Sequence, residues 1–233
     1  MNNKNSFISP LSMSIGVLLS AALTFAACKK NNNDSNPIAA LSISHAAPGF
    51  PAYDFKINGV MVLRRPLKYG TYLDYDFLNS GKQEFSVSPK GSMEVSARST
   101  FTLKPQTYYS IYIADSASKP AFLLTEDDLS APPAGKAKIR FVNLGPDAGP
   151  LDLSVSGKDS LLFSKTDYRT STEFKLIDTT AALKMQITET GNANVLSSTT
   201  IKIEKNRVYT LRATGLKTAT DSTKLGLSLI TNR

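Results

Sequence analysis

The sequence predicts an all-β protein: one β-sandwich module written twice behind a cleaved leader. Two observations carry this. Thr, Ser, Val, Ile, Tyr and Phe recur in short alternating runs bounded by Gly, Pro, Asn and Asp, with no Trp and few amphipathic helical stretches. The chain also overlays itself. At a shift of 98, "LSISHAAPGFPAYDFKING" (residues 41–59) lies over "IRFVNLGPDAGPLDLSVSG" (residues 139–157) without a gap. Shifts of 99 and 100 then bring Tyr69 onto Tyr168, Tyr75 onto Phe174, Gly91 onto Gly191 and Tyr109 onto Tyr209. A repeat that needs two single-residue insertions over its whole length is a tandem duplication.

The leader comes first. Lys4 precedes an uncharged run of about 15 residues, Met13 through Ala27, which has the proportions of a secretory h-region and falls short of the ~20 a membrane-spanning helix requires. The segment "LTFAAC" sets Ala26 and Ala27 before Cys28, the chain's single cysteine, and resembles a bacterial lipobox, with Phe25 departing from the usual Leu. A lone cysteine forms no intramolecular disulfide, and lipidation gives it a purpose in an exported chain. Two or three acyl chains, each contributing ~0.8 kcal/mol per buried methylene, hold a protein on a bilayer where one does not. Residues 1–27 are therefore expected to be a lipoprotein signal and Cys28 the lipidation site.

Residues 28–38 read as a flexible tether. "KKNNNDSN" is polar and has no apolar periodicity. Cys followed by Lys-Lys and an Asn/Asp run resembles lipoproteins of Bacteroidota, which implies the outer membrane; both its periplasmic face and the cell surface stay open.

Repeat 1, residues 39–130, reads as six to eight strands. "ALSISHA" and "YDFKI" alternate, and Asn58-Gly59 is a two-residue hairpin turn supplying positive φ. "VMVLR" returns, "YLDYDF" and "QEFSVS" form another candidate pair, "MEVSARSTFTL" reads as long, and "TYYSIYIA" and "AFLL" close the set. In "LKPQTYY" the spacing of Leu103, Pro105 and Tyr109 resembles the corner of fibronectin-type and immunoglobulin-like sandwiches, where a tyrosine hydroxyl bonds back to the backbone. Ile203 and Tyr209 keep that spacing in repeat 2, residues 137–233. Residues 131–136 are the linker, and "SAPPAGK" around them, with two prolines, predicts a semi-extended spacer between two separate beads.

The only histidine, His45, lies near Asp54, but in repeat 2 it becomes Asn143 while Pro146, Asp152 and Gly157 stay in register with Pro48, Asp54 and Gly59. What persists is what a backbone needs: Pro for rigidity, Asp for a turn hydrogen bond, Gly for reversal. These residues, with Tyr109 and Tyr209, read as architecture. "HAAPGFPAYDFKING", "VMVLRRPLKYG" and "FTLKPQTYYSIYIAD" resemble the domain-of-unknown-function family numbered 4397, over most of residues 39–114. The resemblance implies two tandem immunoglobulin-like β-sandwich domains and no established activity, so no functional residues carry over from it.

One His without a nucleophile motif gives no catalytic triad, and one His with one Cys gives no zinc site, so neither an enzyme nor a cofactor is expected. "TEDDLS" (residues 125–130) lacks the spaced Asp/Asn and Gly of a calcium loop and reads as a solvated acidic linker. Residues 39–130 carry nine bases and nine acids; residues 137–233 carry fourteen and nine. The bases (Lys138, Arg140, Lys158, Lys165, Arg169, Lys175) are scattered on a solvated surface rather than clustered as a nucleic-acid stripe. In "YGTYLDYDF", alternation puts Tyr72, Asp74 and Asp76 on one face, an arrangement a glycan-binding strand can have. The sequence therefore supports a lipid-anchored envelope protein for binding, adhesion or spacing, its partners being the membrane and a glycan or envelope protein. The alternative is a carbohydrate-binding accessory of glycan uptake.

Overall fold

A computed structural model describes residues 37–50, 52–114 and 119–233, all within one compact unit. The leader, Cys28 and the tether as far as residue 36 lie outside the described residues. Among those described there is no helix, and the strands form four sheets, none closed into a barrel.

In the first half the strands are β1 (Ile38–His45), β2 (Ala52–Ile57), β3 (Val60–Met61), β4 (Leu67–Lys68), β5 (Tyr72–Asn79), β6 (Gly81–Pro89), β7 (Ala97–Leu103), β8 (Tyr108–Ala114) and β9 (Ala121–Glu126). One sheet has the order β5-β1-β8-β9, the other β3-β2-β6-β7 with β4 also on β2. The second half supplies β10 (Lys136–Leu144), β11 (Leu151–Val155), β12 (Leu161–Thr166), β13 (Thr170–Ser171), β14 (Lys175–Asp178), β15 (Thr180–Glu189), β16 (Val195–Ile203), β17 (Val208–Thr214) and β18 (Gly226–Thr231). Its orders are β13-β10-β17-β18, with β14 also on β10, and β12-β11-β15-β16. With β13 and β14 in the place of β5, and β12 in that of β3 and β4, this repeats the first half. Both halves also share a parallel pair, β1 with β8 and β10 with β17, in otherwise antiparallel sheets.

Alternation builds each core. Leu41, Ile43, Ile111 and Ile113 of one sheet face Tyr53, Phe55, Phe85 and Val87 of the other; in the second half Ile139, Phe141 and Leu211 face Leu151, Leu153, Met185 and Ile187. Each such side chain, fully buried, contributes about 1.5–3 kcal/mol. The Asn58-Gly59 turn joins β2 to β3 with φ of 49° and 78°, the double positive φ that a tight hairpin requires. "YLDYDF" and "QEFSVS" do not pair, against expectation. The Ser80 N–H bonds to the Pro37 carbonyl and keeps β5 on β1, while β6 crosses to the other sheet beside β2 and β7.

The halves are not separate beads, which corrects the reading of the linker. The outer faces of β1 and β8 pack on those of β10, β17 and β18, burying Ala46, Tyr112, Ala114, Val142, Leu144 and Ile230 in a third apolar cluster. Strands β8 and β17 are thereby covered on both faces. The reason for the misreading is that this seam is largely polar. Ser42, Ser44, Ser110, Thr210 and Arg212 occupy positions that alternate as if toward water, yet each is 3% exposed or less. A buried polar face is stable where its hydrogen bonds are satisfied.

The halves run in the same direction. Ser44, near the end of β1, meets Arg212, which lies beside Val142 near the end of β10. Asp127, bonded through its N–H to the Tyr108 carbonyl at the start of β8, meets Arg140. One end therefore carries both the chain's entry at Pro37, bonded to Ser80, and the start of β10, where the Asn206 N–H bonds to the Lys136 carbonyl.

Candidate functional site

The most heavily constructed place in the molecule is the seam, and its centre is Arg140. Arg140 is 1% exposed, not the solvated base expected from its scattered neighbours. Its Nη2 lies 2.6 Å from Asp127 Oδ1, and both side chains are sealed from water. From there a circuit of hydrogen bonds closes across the two halves. Arg140 Nε donates to Thr210 Oγ1 at 2.9 Å, Thr210 Oγ1 to Asn232 Oδ1 at 2.7 Å, Asn232 Nδ2 to Tyr75 Oη at 2.9 Å, and Tyr75 Oη to Asp127 Oδ2 at 2.5 Å. Burial and then the Asp127 charge push the Tyr75 phenol well above its usual range, so it stays a donor. Burial alone would pull Arg140 down; the neighbouring Tyr112 and Asp127 outweigh that and hold it above its ordinary value.

A second guanidinium pins the other end of the seam. Arg212 donates to Ser44 Oγ, to the Gly70 carbonyl at 2.6 Å and to Ser228 Oγ at 2.8 Å. By the internal alignment, Arg140 and Arg212 correspond to Ser42 and Tyr112 of the first half. The duplicated faces have diverged into a donor face and an acceptor face.

Of the "TEDDLS" carboxylates only Asp127 is buried; the Glu126 and Asp128 side chains stay more than half exposed. Glu126 pairs with Lys104, Asp127 with Arg140, and Asp128 with Lys138, whose hydrogen bond brings the Asp128 carboxyl down to about 2. Three carboxylates facing three cations have no common focus. Among the described residues no group of three or more His, Cys, Asp or Glu could hold a metal ion.

His45 and Asn143 are both fully buried. His45 Nδ1 accepts the Ala47 N–H at 3.3 Å, and Asn143 Oδ1 accepts the Gly145 N–H at 3.1 Å. Burial, opposed in part by the Phe50 backbone, lowers the imidazole to about 4, so it is neutral near pH 7. Asp54 accepts the Gly91 N–H at 2.8 Å, while Asp152 accepts the Lys165 N–H at 2.7 Å and the Thr190 hydroxyl at 2.8 Å. Pro48 and Pro146 sit in turns that follow β1 and β10, and Gly157 takes φ +78° at the turn after β11. Tyr109 Oη accepts the Lys104 N–H at 3.0 Å and Tyr209 Oη the Glu204 N–H at 3.1 Å, each five residues upstream. His45 and Asp54 therefore bond to different turns.

Strand β5 separates the three residues expected to share a face. A bulge between the pairs Leu41–Asp76 and Ile43–Leu73 sets Asp74 and Tyr75 opposite Ser42 alone and breaks the alternation. Tyr72 lies under Arg212, 6.0 Å from guanidinium carbon to ring centre. Asp74 and Asp76 instead line a groove of ≈ 420 Å³ with Leu73, Val62, Leu63 and Phe77, the last 67% exposed. The groove lies between the unpaired edges of β5 and β3. Its counterpart in the second half, ≈ 370 Å³, is lined by Leu161, Leu162, Leu176 and Ile177, which align with Val62, Leu63, Phe77 and Leu78. Nothing in the sequence marked Phe77 for this groove, because the bulge that places it there has no residue signature of its own.

No curated protein matches the chain. Among solved structures, an α-glucan-binding module of a streptococcal virulence factor is 12% identical, covering 75% of this chain and 93% of its own, at a TM-score of 0.27. Family 41 carbohydrate-binding modules from streptococcal virulence factors are 12% identical over 81% and 96%, also at 0.27. A family 26 carbohydrate-binding module of Eubacterium rectale Amy13K, in complex with maltoheptaose, is 11% identical over 82% and 96%, again at 0.27. At that TM-score no ligand carries over. The family described as Domain of unknown function (DUF4397) matches residues 39–154, all of the first half and the opening strands of the second. Through that segment the chain belongs to the DUF4397 family.

Proposed function

We propose that this is a lipid-anchored, non-catalytic protein of the bacterial outer membrane that presents two immunoglobulin-like β-sandwich domains, residues 39–130 and 137–233, for binding or adhesion. The observation that carries the reading is the shared direction of the two halves. The Arg140 and Arg212 bonds hold them side by side, with the entry at Pro37 and the linker at one end. The loops of residues 46–50 and 145–150 then lie together at the other end. Cys28→Ala tests the anchor: it is expected to abolish incorporation of a labelled fatty acid and to move the protein into the soluble fraction. Unchanged membrane partition would overturn the reading.

A second reading, glycan binding, is favoured by the first groove, where exposed Phe77 stands beside Asp74 and Asp76. Asp76 Oδ1 accepts the Phe77 N–H at 2.8 Å, and among the described residues no ion pair occupies either carboxylate, so the remaining oxygens can accept sugar hydroxyls. On a glycan array with the non-lipidated full chain, Phe77→Ala should abolish binding and Tyr72→Ala should spare it. The reverse order of effects would refute a groove site.

A further inference from the structure

The end at which the chain enters the fold is also its unbalanced basic end. Lys205, Arg207 and Arg233 line an open pocket of ≈ 670 Å³ with Pro132, Pro133 and Gly135, and no Asp or Glu side chain lines it. Glu204, the nearest acid to Arg207 at 3.9 Å, is already held by Lys202 at 2.6 Å. Among the described residues no ion pair reaches Lys205, and the Arg233 side chain bonds through Nη1 to the Leu129 carbonyl, not to a carboxylate. The other cations at this end are neutralised, Lys104 by Glu126 and Lys136 by Asp178. The positive charge left over is therefore concentrated at one place.

That place is joined to the anchor by very little chain. Eight residues separate Cys28 from Pro37, two of them Lys29 and Lys30. A segment of that length reaches at most ~30 Å. Surface charges act over a Debye length of ~8 Å at physiological ionic strength, and a tether this short allows the basic end to approach a bilayer surface that closely. A neutral or acidic end would gain nothing from that proximity.

We propose that the Lys205–Arg207–Arg233 end docks on anionic phospholipid headgroups, so that the two halves stand on the membrane in a fixed orientation rather than swinging on the tether. The partner is a lipid surface bearing phosphate, and the three cations would each meet a headgroup oxygen. This rests on the lipid-anchor reading, but its test does not. Residues 28–233 carrying Cys28→Ser, and so no lipid, are sedimented with vesicles of phosphatidylcholine alone or of phosphatidylcholine with phosphatidylglycerol.

The protein should sediment with the anionic vesicles only, and less as salt is raised. Combined Lys205→Glu, Arg207→Glu and Arg233→Glu should weaken this by more than about tenfold. An equal reversal elsewhere, Arg64→Glu with Arg65→Glu and Lys68→Glu, should leave more binding than the first set does. Glutamine at the same three positions covers the case in which charge reversal disturbs folding. Indifference to phosphatidylglycerol, or equal loss from the two triple variants, would overturn the proposal. Vesicle indifference beside normal fatty-acid labelling removes the docking face alone; vesicle binding beside a failed label removes the anchor alone.

Discussion

The imidazole of His45 is buried, and its Nδ1 accepts the Ala47 N–H. Folding holds its pKa near 4, against about 6.5 in the open chain. The unfolded state thus takes up a proton that the folded state refuses. Stability from this group is complete above pH 6.5, falls as pH drops toward 4, and is flat below; the loss amounts to about 3 kcal/mol. His45→Asn copies the group that the second half uses at Asn143 and does not titrate. We expect its unfolding free energy, measured by denaturant titration, to lose markedly less than the parent's between pH 6.5 and 4. Parallel pH profiles would show that His45 is not the acid-sensitive group. The equivalence of His45 and Asn143, each accepting a backbone N–H two residues on, was legible from the alignment; the size of the pKa shift was not, because burial is not written in the residue's neighbours.

At the level of strands, local rules carried far. Alternation located β1, β2 and β8, and Asn58-Gly59 marked its turn because few dipeptides tolerate two positive φ values in succession. The tyrosine corners were visible as spacing. The limits appeared wherever a strand's partner was distant in sequence. β5 and β6 are neighbours in the chain but lie in different sheets, and period-two counting misassigned β5 because a bulge changes phase without changing composition. The groove beside Phe77 followed from that bulge, so the residue that tests glycan binding could be named only from the structure.

For the molecule as a unit, the decisive element is the seam, and the sequence concealed it. Serines and threonines alternating with aliphatic residues are what a half-exposed strand shows, and a polar interface shows the same pattern. Only Arg140 and Arg212, cations flanked on both sides by apolar residues of their strands, hinted at it, and scattered cations ordinarily face water. The ionic pair makes the seam testable. Arg140→Met leaves Asp127 buried without its counter-charge, a change that costs about 3–5 kcal/mol. The full described unit should unfold in one transition, displaced in this variant to lower denaturant. Two separate transitions in the parent, one untouched by Arg140→Met, would mean that the halves are energetically independent.

The donor and acceptor faces have a consequence for the history of the duplication. Two identical ancestral copies would have met like against like; today a tandem of two second halves would set guanidinium against guanidinium with no Asp127 between them, and a tandem of two first halves would bring hydroxyls together with no cation to order them. The copies have lost the ability to stand in for one another, so an exchange that replaced either half by the other would lose the Arg140–Asp127 and Arg212–Ser44 contacts that join them.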